Sequence, residues 1–95
     1  MHSEAEDELD EGIVFYEARR DGLGLEFLSE VEDVFARIQE NPALGSPYKS
    51  TTFRFLLIHR FPYVVFYAEK REFIWVVAIA HGRRRPGYWK RRKTE

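Results

Sequence analysis

Phe73-Ile74-Trp75-Val76-Val77-Ala78-Ile79-Ala80 runs for eight residues without a charge. Most of these residues are β-branched or aromatic, the types that pack well on a pleated surface. A strand apolar on both faces belongs inside a sheet. It is covered on both sides, or covered on one and used on the other. Just upstream, Ala68-Glu69-Lys70-Arg71-Glu72 is a polar turn, and Tyr63 to Tyr67 reads as a second strand. Phe61-Pro62 interrupts the pattern, and Phe53 to Arg60 reads as a third. The spacing predicts an antiparallel three-stranded meander over 53–60, 63–67 and 73–80.

Before Ser50 the period is helical. Ser3-Glu4-Ala5-Glu6 has the form of a capping box, in which the Ser3 hydroxyl accepts the Glu6 amide hydrogen and the Glu6 carboxylate reaches back. Ala5, Leu9, Ile13 and Tyr16 recur at helical spacing, which predicts a helix over 4–20. Asp21-Gly22-Leu23-Gly24 breaks it. Leu25, Leu28, Val31, Phe35 and Ile38 form a second stripe, stopped at Asn41-Pro42. Two amphipathic helices joined by a short turn make an antiparallel hairpin. Helices segregated from a meander give an α+β fold, with an N-terminal antiparallel helix hairpin packed on one face of an antiparallel three-stranded sheet and a short basic C-terminal tail. The expected core is Leu9, Ile13, Leu28, Val31, Phe35, Ile38, Val65, Ile74, Val76 and Ala78, with the helix members on facing stripes and the strand members on one sheet face. Residues 1–95 are expected to form one domain, with no repeat or linker.

The composition sets the outer limits. With 44% hydrophobic and 16% aromatic residues, the 95-residue chain is rich enough to fold without staples. It has no cysteine, which excludes disulfides and thiolate zinc sites and suits a reducing compartment. No apolar run reaches the about 18 residues of a membrane span, and the N-terminus is acidic, unlike a signal peptide. The cytoplasm is the expected address. The net charge of −1 conceals a division. Residues 1–48 carry 13 acids and 3 bases, a balance of −10, and residues 49–95 carry 3 acids and 12 bases, a balance of +9. Two readings fit this division: a basic side that meets an anionic partner, or acidic helices whose charges face water.

The densest chemistry lies in His81-Gly82-Arg83-Arg84-Arg85-Pro86-Gly87-Tyr88-Trp89-Lys90-Arg91-Arg92. Arginine forks recognise phosphate or carboxylate, and aromatic rings offer stacking surfaces. Directly after a buried strand, Arg83, Arg84, Arg85, Tyr88, Trp89 and Arg92 form a candidate binding patch with Trp89 exposed as an anchor. The alternative is a solubilising tail, or one that pairs with the acidic helices. Arg54 and Arg60 share parity on the first strand and are further candidates. His2, His59 and His81 lack metal-ligand spacing, so no metal or other cofactor is expected. No nucleophile–base–acid set is present. Any enzymatic chemistry would use Arg, His and Tyr on a phosphodiester, with Arg83, Arg84, Tyr88 and His81 as the groups at hand.

Phe61-Pro62-Tyr63-Val64-Val65-Phe66-Tyr67, Trp75-Val76-Val77-Ala78-Ile79-Ala80-His81, and Arg84-Arg85-Pro86-Gly87-Tyr88-Trp89 with Arg92 resemble the C-terminal half of ParE-type toxins of the RelE/ParE superfamily. Glu4 to Leu9, Tyr16-Glu17, Gly22-Leu23-Gly24, Phe27 and Asn41-Pro42 resemble the helical half. The resemblance implies the toxin of a type II toxin–antitoxin (plasmid stabilisation) system, with a cognate antitoxin as partner. Two departures stand out. The family's first strand is represented only by its end, His2-Ser3, which leaves a sheet edge open to self-association. The strand that carries a catalytic Arg in the RelE branch reads Pro62-Tyr63-Val64-Val65 here. That favours the ParE branch, whose characterised members inhibit DNA gyrase without an enzymatic site. The alternatives are a ribosome-dependent mRNA endoribonuclease of the RelE branch, with Arg83 or Arg84 and Tyr88 as its C-terminal pair, or a degenerate member that binds only its antitoxin.

Overall fold

The computed structural model describes residues 1–92. Helix α1 spans Ser3–Arg19 and α2 spans Leu23–Glu40. Four strands follow: β1 (Ser46–Pro47), β2 (Arg54–Leu57), β3 (Tyr63–Glu69) and β4 (Ile74–His81). The sheet order is β1-β2-β3-β4, antiparallel throughout. This is the α+β arrangement expected, with one more strand than the meander predicted. No period can be read from a strand of two residues. Ser46–Pro47 is held instead by long-range contacts. Arg54 Nη1 donates to the Gly45 carbonyl at 2.7 Å, and the Tyr67 hydroxyl accepts from Gly45 N and donates to the Pro42 carbonyl, both at 2.8 Å. No described helix is long and apolar enough to cross a membrane.

The helix hairpin is closer than side-chain periodicity suggests. A Cβ on Gly12 would lie 2.6 Å from the Phe27 ring, and one on Gly24 would lie 2.6 Å from the Ile13 carbonyl oxygen. Both positions need glycine because the helices touch there. This contact rotates α2 away from the predicted stripe. Its buried face is Gly24, Phe27, Val31, Val34 and Ile38. Leu25 is 69% exposed and Leu28 is only half-buried. Glu17 closes the turn: its carboxylate accepts from Gly22 N at 2.9 Å and Gly24 N at 3.0 Å, satisfying amides at the start of α2. At the start of α1 the capping box gives way to His2, whose Nδ1 accepts from Glu4 N at 3.0 Å.

The sheet has two covered faces. Val65, Tyr67, Val76 and Ile79 pack with Ala5, Phe27, Val31, Val34 and Ile38 under the helices. On the opposite face Trp75, Val77, Ala78 and Trp89 form a second cluster with Tyr48, Phe53, Phe66 and Tyr88 around it. The charge-free run in β4 therefore has an explanation. The pairing passes from Phe66↔Ala78 to Tyr67↔Val76, which leaves Val77 as an extra residue. A bulge of this kind reverses side-chain parity. It puts both Val77 and Ala78 on the far face, so Ala78 leaves the face predicted for it. Strand β2 is shorter than the 53–60 segment because the chain turns after Leu57. Arg60 takes φ 72°, and Ile58 N donates to the Tyr63 carbonyl at 3.0 Å.

Truncation of Ile38 to Ala is expected to cost about 2–5 kcal/mol, whereas Leu25→Ala is expected to change stability by less than about 0.5 kcal/mol. Urea denaturation measures both. Equal losses would contradict the observed buried face of α2.

Candidate functional site around Glu8

Glu8 is the one charged residue buried among the described residues, at 8% exposure. A buried carboxylate is tolerated only when donors surround it. Glu8 sits on the face of α1 that meets β4, and four hydrogen bonds converge on it. Ile79 N donates to Oε1 at 3.0 Å, and the Tyr88 hydroxyl donates to Oε2. Arg92 donates from Nη1 to Oε1 at 2.9 Å and from Nη2 to Oε2 at 3.0 Å. Arg84 Nη1 adds charge at 3.8 Å. The guanidinium of Arg84 lies 3.9 Å from the Tyr88 ring centroid, and that of Arg92 lies 5.1 Å from it. Arg92 Nη1 also donates to the Val77 carbonyl at 3.0 Å.

These contacts fold the basic tail back onto the chain. Tyr88 and Arg92 are half-buried, and their proton equilibria follow from the surroundings. Burial pushes the Tyr88 phenol well above its ordinary range. Its hydrogen bond to Glu8 and the Glu8 charge push it the same way, against Arg92 and Arg84. For Arg92, burial opposes the charge, and the hydrogen bonds and charge of Glu8 outweigh it, so its pKa is raised. Trp89 is 1% exposed and belongs to the far-face core, with its ring 4.6 Å from Phe66 and 4.9 Å from Phe53. The expectation of an exposed Trp89 anchor is corrected: between Tyr88 and Lys90 the chain turns its aromatic side inward, where the ring buries against Phe66, Phe53 and Tyr48 on the sheet's far face.

Other sequence candidates are occupied by the fold as well. Arg54 holds the loop before β1, as described above. Arg60 donates to Glu26 at 2.8 Å and approaches Glu30 at 3.6 Å, tying the β2–β3 turn to α2. Arg20 joins the same network through Glu26 at 3.1 Å. His81 Nδ1 accepts from Arg83 N at 3.0 Å, and its ring meets Tyr63 edge-on at 5.0 Å. Between α1 and β4 a cleft opens, lined by Glu11, Phe15, Tyr63, His81 and Arg84. Among the described residues, Arg83, Arg85, Lys90 and Arg91 are exposed and take part in no ion pair. Sequence reasoning missed Glu8, although one signal was available: Glu8 lies between Ala5 and Leu9 on the apolar stripe, one helical turn before Gly12.

A family model described as "ParE toxin of type II toxin-antitoxin system, parDE" matches residues 1–86. The match includes Glu8 and Arg84 and stops before Tyr88 and Arg92. No curated protein and no solved structure matches the chain.

The Tyr88 environment fixes a pH dependence. A phenol whose pKa is raised on folding contributes stability that is fully present below about pH 10, the unfolded value, and is lost as pH rises beyond it. The stability gap between wild type and Tyr88→Phe is therefore constant up to about pH 10 and narrows above it. Denaturation midpoints across the alkaline range measure the gap. A gap that stays constant to about pH 11.5 would show that Tyr88 ionises alike in both states.

Proposed function

The chain belongs to the ParE toxin family of type II toxin–antitoxin systems, and from that premise we propose that it inhibits growth by binding a protein target, DNA gyrase first, without catalysing a reaction. A cognate antitoxin is the partner this family implies. The observation that supports a non-catalytic action is the engagement of the C-terminal groups by Glu8. A ribonuclease would need Tyr88 and an arginine free to move protons and stabilise phosphorane charge. Here the Tyr88 proton points at Glu8, Arg92 is paired through both terminal nitrogens, and Arg84 stands over the Tyr88 ring. The start of β3 carries no cation to replace them: Tyr63-Val64-Val65 is uncharged.

The same geometry narrows the surface offered to the target. Trp89 is withdrawn into the core, and Arg92, Arg60 and Arg54 hold internal partners. Arg83, Arg85, Lys90 and Arg91 remain as exposed cations on a segment that buried Trp89 and half-buried Tyr88 and Arg92 anchor. Four cations on an anchored segment suit an acidic protein surface, and they need no cofactor. Electrostatic contacts of this sort set approach rate and orientation as much as affinity.

The wild-type protein is expected to block gyrase supercoiling in vitro and to leave ribosome-bound mRNA intact. Joint replacement of Arg83, Arg85, Lys90 and Arg91 by Ala is expected to abolish growth inhibition with little change in thermal midpoint. Trp89→Ala is instead expected to destabilise the fold by about 3–5 kcal/mol. Cuts in ribosome-bound mRNA that vanish in Tyr88→Phe would overturn this reading in favour of the ribonuclease.

A further inference from the structure

The face of the sheet turned away from the helices is only partly covered. Leu57 pairs with Val64 and Val64 with Ala80, so these three residues form one row across β2, β3 and β4. Phe66, two residues from Val64, places that row on the face that Trp89 covers. At one end of the row Leu57 is 67% exposed. At the other a cavity of about 170 Å³ opens between the sheet and the turn after β4, floored by Val64, Phe66 and Ala80 and walled by Arg85, Pro86 and Gly87. A contiguous apolar row with a polar rim marks a contact surface, unlike apolar side chains scattered singly.

The charges around this trough are of one sign. Arg85 lines the cavity, and Lys49 and Lys90 stand over the ring of Tyr48, which also lines it, with Nζ 5.4 and 5.6 Å from the ring centroid. All three cations are exposed, and none takes part in an ion pair among the described residues. Residues 41–68 and 73–92 hold no Asp or Glu, so the segments that build the trough carry no carboxylate of their own. An occupant meets an apolar floor and a cationic rim. The cavity is smaller than the roughly 300–1,000 Å³ of small-molecule sites and suits a single aliphatic side chain. Nucleic acid is a poorer fit, because bases need an open aromatic face. Trp89 is buried against Phe53 and Phe66, and the Tyr48 ring is taken up by the two lysines.

We propose that this trough is a docking groove for an acidic peptide segment of a partner protein: one aliphatic side chain enters the cavity beside Pro86, and carboxylates on either side of it meet Lys49, Lys90 and Arg85. The inference rests on the reading that the chain acts by binding a protein, and it specifies what that protein presents. Apolar contact supplies the burial, and the rim supplies orientation and selectivity for acids. The rim is held in place from below. Trp89 packs the tail onto the sheet, and Tyr88 and Arg92 tie it to Glu8.

The test is an amide NMR titration of the full isotope-labelled chain with the capped peptide Glu-Asp-Leu-Asp-Glu. Saturable shifts are expected at the amides of Val64, Ala80 and Gly87, with those of α2 unmoved. Replacing the peptide's leucine by glycine, or its acids by Gln and Asn, is expected to weaken binding roughly tenfold or more. In the chain, Lys49→Glu combined with Lys90→Glu is expected to weaken it by a similar roughly tenfold factor, with circular dichroism unchanged. Lys49→Gln with Lys90→Gln serves should the charge reversal not fold. The readout is on the chain alone, so binding at the trough supports the proposal even where gyrase is not inhibited, an outcome that would fail the target reading only. Absence of saturable shifts at the trough would overturn the proposal, as would equal binding of the leucine-free peptide. An oligothymidylate that saturates the same amides more tightly than the peptide would overturn it in favour of a nucleic acid.

Discussion

One carboxylate organises the contacts that keep this chain folded on itself. Glu8 lies on the inner face of α1, where burial without partners would cost several kcal/mol. The fold surrounds it with a backbone amide from β4, a phenol and a guanidinium from the C-terminal segment. Each donor comes from an element distant in sequence. The carboxylate therefore joins α1, the outer strand and the tail at a single point. Removing the carboxylate group would strand Arg92, whose side chain is only 9% exposed, and would release the amide of Ile79.

Placement of that point determines what the basic tail can do. The arginines after β4 are adjacent in sequence and differ in role. Arg84 adds to the charge around Glu8, while Arg83 and Arg85 face solvent without an ion-pair partner among the described residues. Trp89, between the same cations, closes the far face of the sheet together with Tyr48, Phe53 and Phe66. The tail is thus half core and half surface, and its structural half presents the other. The division of charge between the chain's halves has a matching double role. Some acids of the helices, Glu8 and Glu26 among them, neutralise bases of the second half, while Arg83, Arg85, Lys90 and Arg91 have no ion-pair partner among the described residues.

The fold class was legible because the period changes near Ser50 from helical to extended, and because Asn41-Pro42 and Phe61-Pro62 punctuate the chain. The strand at 73–80 was legible from its uncharged run, yet its bulge was not. An extra residue in a uniformly apolar strand leaves no mark on periodicity, so Ala78 was assigned to the wrong face. In α2, Val31 and Ile38 lie on the buried face as expected, while Leu25, Leu28 and Phe35 stand one position past Gly24, Phe27 and Val34, because Leu25 is apolar and Gly24 is not bulky. The close approach of Gly24 to Ile13 decides the rotation, and that is a property of two helices together. In the candidate site the basic residue types and their crowding were visible. Their partners were not, since the contact from Arg92 to Glu8 spans most of the chain.

The most direct measurement is a double-mutant cycle between Glu8 and Arg92, using Gln at each position and denaturation at concentrations where every variant is monomeric. The account predicts strong non-additivity, a coupling above about 1 kcal/mol, because each partner is buried against the other. Losses that add within about 0.5 kcal/mol would contradict it, and would mean that the tail is held by Trp89 packing alone.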